Sequence, residues 1–375
     1  METALLSGFD LTKWRQNFIR ETVRDSGFEP YMGTSASDII HVINDLDTDG
    51  YTIRVPLLKQ LKGSGVSGDQ RLSGNEEALN QFYQDITWDF YRHGVEISKK
   101  QREKSAVKLL EAVRPQLADW ASSKIKYQII DTFHSLNGVR YASCPEATKD
   151  AWATANADRV LFGSAVSNYS TDHSAALANV DSTNDKLTTS VATLAKRLAR
   201  KARPFIRPFK TGTQGREYFV MFCHPLCFRD LKADTVMQNA NRDARPREVS
   251  TNPLFQDGDL IYDGIIFREI PEFYMPLDPD ESVNTATTLV NAGAGGTTTV
   301  APNFLCGAQA IGFANKQMPV PKVKKEDDYD FFKGMGIELA HGIEKLTWNN
   351  GANTTTDPRK DVGMFTVYCS AQPDA

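Results

Sequence analysis

Long hydrophobic runs are missing from this chain. The longest unbroken apolar stretch is Tyr218 to Cys223, whereas a membrane-spanning helix needs about 20 apolar residues, so no membrane segment is expected. The beginning, where Glu2 and Asp10 stand, shows neither a basic region nor an apolar one, so no secretory leader is expected. Positive charge is not in excess either. A net charge of -4 argues against a dedicated DNA-binding protein, which would be strongly basic. Neither H-E-x-x-H nor G-x-S-x-G occurs, and the six histidines (His41, His93, His134, His173, His224, His341) are scattered, so no local hydrolase signature is present. Cysteine is scarce and odd in number: Cys144, Cys223, Cys227, Cys306 and Cys369 stand mostly in apolar runs. They read as buried free thiols of a reducing compartment. What the chain does have is core material, with 41% hydrophobic residues over 375 positions, enough for two or three domains.

Three motifs suggest chemistry and fail on context. Gly63, Gly65 and Gly68 match the G-x-G-x-x-G dinucleotide pattern, but Lys59-Gln-Leu-Lys62 before them is no buried strand and Gly74 follows too soon for a helix. The phosphate-binding mechanism needs both. Asp45, Asp47, Asp49 and Gly50 begin like a calcium loop, yet the twelfth position holds Pro56 in place of a bidentate Glu. Cys223, His224 and Cys227 resemble half a metal site without a second pair, and read as the packed end of a strand. Lys196 to Lys210 carries seven basic residues among Pro204, Phe205, Pro208 and Phe209. It reads as a solvated helix face running into an inter-domain turn, with a phosphate-contacting surface as the other reading.

The stretch from Tyr51 to Leu136 says more. Tyr51 to Leu61 and Ile86 to Ile97 are consistent with strands, and Pro56 favours an edge or a two-stranded ribbon because it cannot donate to a ladder. Between them Gly63, Gly65, Gly68 and Gly74, with charges of both signs, make a solvent-facing tip. An isolated two-stranded ribbon is marginal in water, so partners must hold one that projects. A helix then opens at Ser98, with Gln101 completing a capping box. Ala106, Leu110, Val113, Leu117, Trp120, Ala121, Ile125, Ile129, Phe133 and Leu136 follow at helical spacing, and Asn137-Gly138 reads as the stop. Pro115 is expected to kink it. From Ser98 to Leu136 such a helix would span roughly 58 Å at 1.5 Å per residue, against a radius of gyration of about 21 Å for a compact globule of this length. Those proportions suit a subunit made for assembly.

Elsewhere the signals are plainer. Leu11, Trp14 and Phe18 form a short helical stripe in an arm of 49 residues, followed by Phe28, Tyr31 and Met32 in an irregular stretch. So few apolar residues must dock, on this chain's own body or on a neighbour. Arg159 to Phe162 reads as a strand, Leu187 to Leu198 as a helix ending near Pro204, and Tyr218 to Cys223 and Ile261 to Ile270 as buried strands. Residues 283 to 302 read as a surface loop and Gly363 to Cys369 as a last strand. Helices and strands mix without alternation, so the fold class is α+β.

Several of these segments together resemble a known family. Leu61-x-Gly63-x-Gly65-Val66-x-Gly68-Asp69-x-x-Leu72-x-Gly74-Asn75-Glu76-Glu77 is similar to the extended-loop signature of tailed-phage major capsid proteins. The fold is the Hong Kong ninety-seven (Johnson) fold, in the branch typified by coliphage N-four. Arg92-His-Gly-Val95, Tyr218 to Pro225, Asn252-Pro-Leu-Phe255, Tyr262-Asp-Gly-Ile265 and Leu305 to Ala310 fit the same branch, in the family's order.

The resemblance implies an N-terminal arm over residues 1 to 49 and an extended loop over 50 to 97 that lies on a neighbouring subunit. It implies a peripheral domain over 98 to 204 with a spine helix from 98 to 136, an axial domain over 205 to 340, and a return to the peripheral domain over 341 to 375. The function it implies is non-enzymatic: a virion shell protein, assembled in the host bacterial cytoplasm into hexamers and pentamers of an icosahedral capsid around double-stranded DNA held without sequence-specific contacts. No catalytic residue, cofactor, metal or membrane is implied. The implied partners are further copies, a portal protein, a separate scaffolding protein (the arm being short for a built-in one) and any decoration proteins. Lys62, Arg71, Glu76 and Glu77 on the tip are the charges expected to meet a neighbour. An encapsulin-like compartment on the same fold, and a nucleotide-dependent enzyme resting on the glycine match, are the rival readings.

Overall fold

The structure is a computed structural model that describes residues 27–44, 52–58, 61, 63–77, 81–104, 109–211, 216–243, 260–273, 289–324, 331–348 and 359–374. The arm stripe of Leu11, Trp14 and Phe18, the Asp45–Gly50 turn and Lys62 lie outside these residues. Two compact units emerge: Phe90–Ile125 with Gln317–Ala340, and Gly27–Asp89 with Lys126–Lys316 and His341–Ala375. Residues 317–340, in the span expected to be axial, thus pack with the first half of the long helix.

In the first unit a helix covers a small sheet. The strand Asp89–Ser98 lies beside Phe332–Lys345, which lies beside Ile311–Val323. Glycines allow the outer pair to approach closely, since a β-carbon on Gly336 would lie 3.1 Å from the His93 carbonyl oxygen. The capping box is present: the Ser98 N–H donates to Gln101 Oε1 at 3.1 Å, and the Gln101 N–H donates to Ser98 Oγ at 3.3 Å. Helix follows at Lys99–Lys104 and again at Leu109–His134. Pro115 sits inside the second stretch, which continues past it despite the missing N–H donor. Val113, Leu117 and Ala121 meet Ile97, Ile337 and Leu339 in one apolar cluster, with Trp120 stacked on His93.

The second unit is built on a sheet ordered Val160–Phe162, Met364–Ser370, Val300–Cys306, Arg216–Cys223, Ile265–Glu269, Leu260–Tyr262, with Phe209–Thr211 also paired to Arg216–Cys223. Its two central antiparallel strands, Val300–Cys306 and Met364–Ser370, are buried along their whole length. That explains why they read as near-continuous apolar runs without alternation. The helix Thr189–Lys201 buries Val191, Ala192, Ala195 and Ala199 in the main core, and Thr188 caps its start by accepting from the Val191 N–H. Lys126 and Glu272 form a buried ion pair at 3.0 Å.

Several expectations are corrected in detail. The helix ends at His134, two residues before Leu136. Asn137 and Gly138, with φ of 51° and 77°, form a tight turn in which Leu136 and Val139 exchange backbone hydrogen bonds of 2.8 and 2.9 Å. This is the hairpin use of Asn-Gly, which suits a pair of positive φ values. Ile261 to Ile270 is two strands rather than one, Leu260–Tyr262 and Ile265–Glu269, folded back at Asp263-Gly264 with φ of 49° and 69°. The surface loop stops short of Val300, which starts a core strand. Phe28 and Tyr31 settle on their own chain: Phe28 is fully buried against Phe133 and Phe222, with ring centroids 5.5 and 5.2 Å away. Beyond them Ile40–Ile43 forms a strand parallel to Ile311–Ala314.

Candidate assembly surfaces

The extended ribbon pairs Thr52–Leu58 with Gln81–Thr87, not with the strand after it. Asp89–Ser98, expected to be the return strand, belongs instead to the sheet under the long helix. Pro56 stands opposite Tyr83 in a two-stranded sheet, where its missing donor faces no third strand. Across the pair Arg54 clasps Asp85 bidentately at 2.8 and 3.0 Å and lies over the Tyr83 ring. The guanidinium holds the Asp85 carboxyl below its usual range.

The root of the ribbon is buried. Ile86 packs with Ala314, Leu346 and Val362, with Ile53 and Val55 against them. The tip is the opposite. Every described residue from 61 to 77 is exposed except the half-buried Val66, and Leu61 and Leu72 expose 58% and 59% of their surfaces. The tip holds its shape through local bonds. The Gly63 N–H donates to Glu77 Oε2 at 2.5 Å, the Gly74 N–H to Glu76 Oε2 at 2.7 Å, and Asn75 Nδ2 to the Arg71 carbonyl at 2.9 Å. Gly74, in the turn closed by the Asn75 N–H on the Leu72 carbonyl, has φ of 92°, a conformation that residues with side chains rarely adopt. Of the four expected contact charges, Arg71, Glu76 and Glu77 are therefore brought together on one exposed loop. No helix opens at Gly68, so the dinucleotide geometry is not formed.

The remaining chemical candidates are committed to packing. Cys223 and Cys227 are fully buried; burial raises both thiols, that of Cys227 to about 12. His224 accepts from the Leu226 N–H at the start of helix Pro225–Ala233, and its own N–H donates to Asn303 Oδ1. Burial lowers its pKa to about 4. Among the basic residues, Lys196 pairs with Asp263 at 3.0 Å and Lys210 reaches Glu217 at 3.8 Å, while Arg197, Lys201 and Arg203 are exposed. Sequence reasoning missed a trio of carboxylates, Glu146, Asp150 and Asp172. Each serves local structure: Asp172 caps the helix His173–Ala178, Asp150 accepts from the His173 N–H, and Glu146 pairs with Lys149.

A family model described as phage capsid protein matches residues 2–372. The chain belongs to this family. The capsid subunit is similar to the major capsid protein of Pseudomonas phage KPP25, 29% identical over 388 residues, with 98% of this chain and 97% of that protein covered. Among solved structures it is similar to the capsid asymmetric unit of cyanophage Pam1, at a TM-score of 0.87 and 33% identity over 100% of both chains. It is also similar to the capsid of Ralstonia phage GP4, at a TM-score of 0.68 and 19% identity over 100% of both chains, a likeness that bears on fold alone. The capsid subunit thus has the Hong Kong ninety-seven type of fold, in the α+β class.

Proposed function

We propose that this capsid subunit is the major capsid protein of a tailed double-stranded DNA phage, of the N-four type, and that its work is mechanical. Copies join head to tail into rings of six and five, which close an icosahedral shell around the genome. Obligate contacts of this kind bury on the order of 2,000–5,000 Å². The residues 1 to 49 serve as the arm and the ribbon within 50 to 87 as the extended loop whose tip lies over a neighbour; 98 to 204 and 341 to 375, with the strand Asp89–Ser98 and residues 317 to 340 beside the long helix, serve as the peripheral domain, and 205 to 316 as the axial domain. Assembly takes place in the host cytoplasm with a portal and a separate scaffolding protein, and no reaction is catalysed. Packaged DNA lies against the inner face without sequence-specific contacts. A strongly basic lining would oppose its sliding, and the net charge of -4 fits that need.

The observation that carries this reading is the exposure of the tip, where apolar Leu61 and Leu72 flank charges of both signs. Such a surface is left open by one chain and suits a second. Arg71, Glu76, Glu77 and Lys62 are the contacts proposed. The test is the double reversal Arg71→Glu with Glu77→Arg. The isolated subunit keeps its circular dichroism spectrum, whereas electron microscopy shows few closed shells. Normal shells from that double variant would remove these charges from the interface.

A further inference from the structure

The ribbon enters the body through a contact built from groups far apart in sequence. Gln84 stands in the returning strand on the face where Ile86 is buried, yet it is polar and only 1% exposed. Its side-chain amide does what a neighbouring strand would do with its backbone. Gln84 Nε2 donates to the Lys345 carbonyl at 2.5 Å, and Oε1 accepts from the Thr347 N–H at 2.7 Å. Thr347 Oγ1 adds a bond to the same oxygen at 3.3 Å.

Two glycines complete the contact. A β-carbon on Gly342 would overlap the Thr87 carbonyl oxygen and lie 3.0 Å from the Trp88 Cα, so the obstacle is backbone. A β-carbon on Gly312 would lie 2.6 Å from Ile86 Cδ1. Neither glycine has a positive φ. Backbone conformation therefore does not require glycine at either position; the nearness of the ribbon does.

Resting on the reading that the ribbon engages a neighbouring copy, we infer that Gln84, Gly312 and Gly342 form a seat that fixes the direction in which the ribbon leaves the subunit, and so decides whether copies close into shells of one size. The leverage is geometric. Three strand residues lie beyond Gln84, out to Gln81, and extend about 10 Å at roughly 3.3 Å each. A tilt of about 10° at the seat then moves that end by about 2 Å, well beyond the few tenths of an ångström that a hydrogen bond tolerates. The Gln84 amide resists that tilt because its bonds to Lys345, to Thr347 and, at 3.4 Å, to Glu344 Oε2 must hold at once, which an apolar side chain of equal volume cannot impose. Gln84 is a positioning residue on this account.

The test compares the full-length wild type with Gln84→Met, which keeps the volume and loses the amide, and with Gly342→Ala. Each is co-expressed with the phage's other head proteins. The readouts are the size distribution of closed particles by electron microscopy and the urea midpoint of the isolated subunit. Wild type is expected to give closed shells of one diameter. Both variants are expected to give folded subunits with at least a tenfold lower yield of such shells, replaced by open sheets or mixed diameters. Uniform shells at wild-type yield from Gln84→Met would overturn the inference. So would an unfolded Gln84→Met subunit, because Gln84 would then serve folding and not direction. If Gly342→Ala alone fails to fold, Gln84→Met decides. Wild type that never closes into shells would instead overturn the assembly reading beneath it.

Discussion

At the ribbon's root Ile86 exposes no surface and Gln84 almost none, whereas at its tip Leu72 leaves more than half of its surface open. Both ends belong to one hairpin, yet different forces hold them. The root draws on the apolar cluster of Ala314, Leu346 and Val362, contacts that one chain supplies to itself. The tip draws on short local bonds to Glu76, Glu77 and the Arg71 carbonyl, which fix a shape without burying its leucines. Burying a leucine side chain contributes about 1.5–3 kcal/mol. The root already holds that stabilisation in the single subunit, and the tip can gain it only from another copy.

The contrast can be broken at either end. Among substitutions the largest effect is expected at the root: Ile86→Ala should cost the isolated subunit about 2–5 kcal/mol, the usual range for emptying a packed aliphatic site, read as a drop in the urea midpoint at constant m-value. A change below about 0.5 kcal/mol would show that the root is not part of the core.

Acid sharpens the comparison from the body's side. Burial pulls the pKa of His134 down to about 3 and those of His173 and His224 down to about 4. All three are neutral in the fold, while the unfolded chain takes up protons near pH 6.5. Their contribution is complete above about pH 6.5 and declines as pH falls toward 4, by up to about 1.4 kcal/mol per pH unit for each histidine. Urea titrations between pH 7 and pH 4.5 measure this, and a flat stability profile over that range would contradict it. Because these histidines lie in the body, Leu72→Ala should leave the acid profile unaltered.

The smallest expected effect on the subunit is at the tip. Leu72→Ala should change its stability by no more than about 0.5 kcal/mol, yet assembled shells should dissociate at lower temperature. Equal losses in subunit and shell would mean that Leu72 packs on its own chain.

Legibility in the sequence followed how local each signal was. The Ser98–Gln101 capping box, the helix ending near Pro204 and the buried run at Tyr218–Cys223 rest on neighbouring residues, and each appears in the structure. The exposed, glycine-rich tip was legible for the same reason. The ribbon's return strand was harder, because a buried Gln84 breaks the alternation of Phe82 and Ile86, and no glycine or proline separates Thr87 from Asp89–Ser98. The Asp263-Gly264 turn was present as a hairpin dipeptide, but apolar residues on both sides hid it inside an apparent single strand. The seat was beyond sequence reading altogether. It joins residues 84, 312, 342, 345 and 347, and nothing around any of them announces the others.

Hydrogen exchange on the isolated subunit and on assembled shells tests the central claim most directly. Amides of residues 63–77 should exchange rapidly in the subunit and become protected in the shell, while those of residues 84–87 stay protected in both. A tip that exchanges equally fast in shells and subunits would contradict the account, as would a tip already protected in the subunit alone.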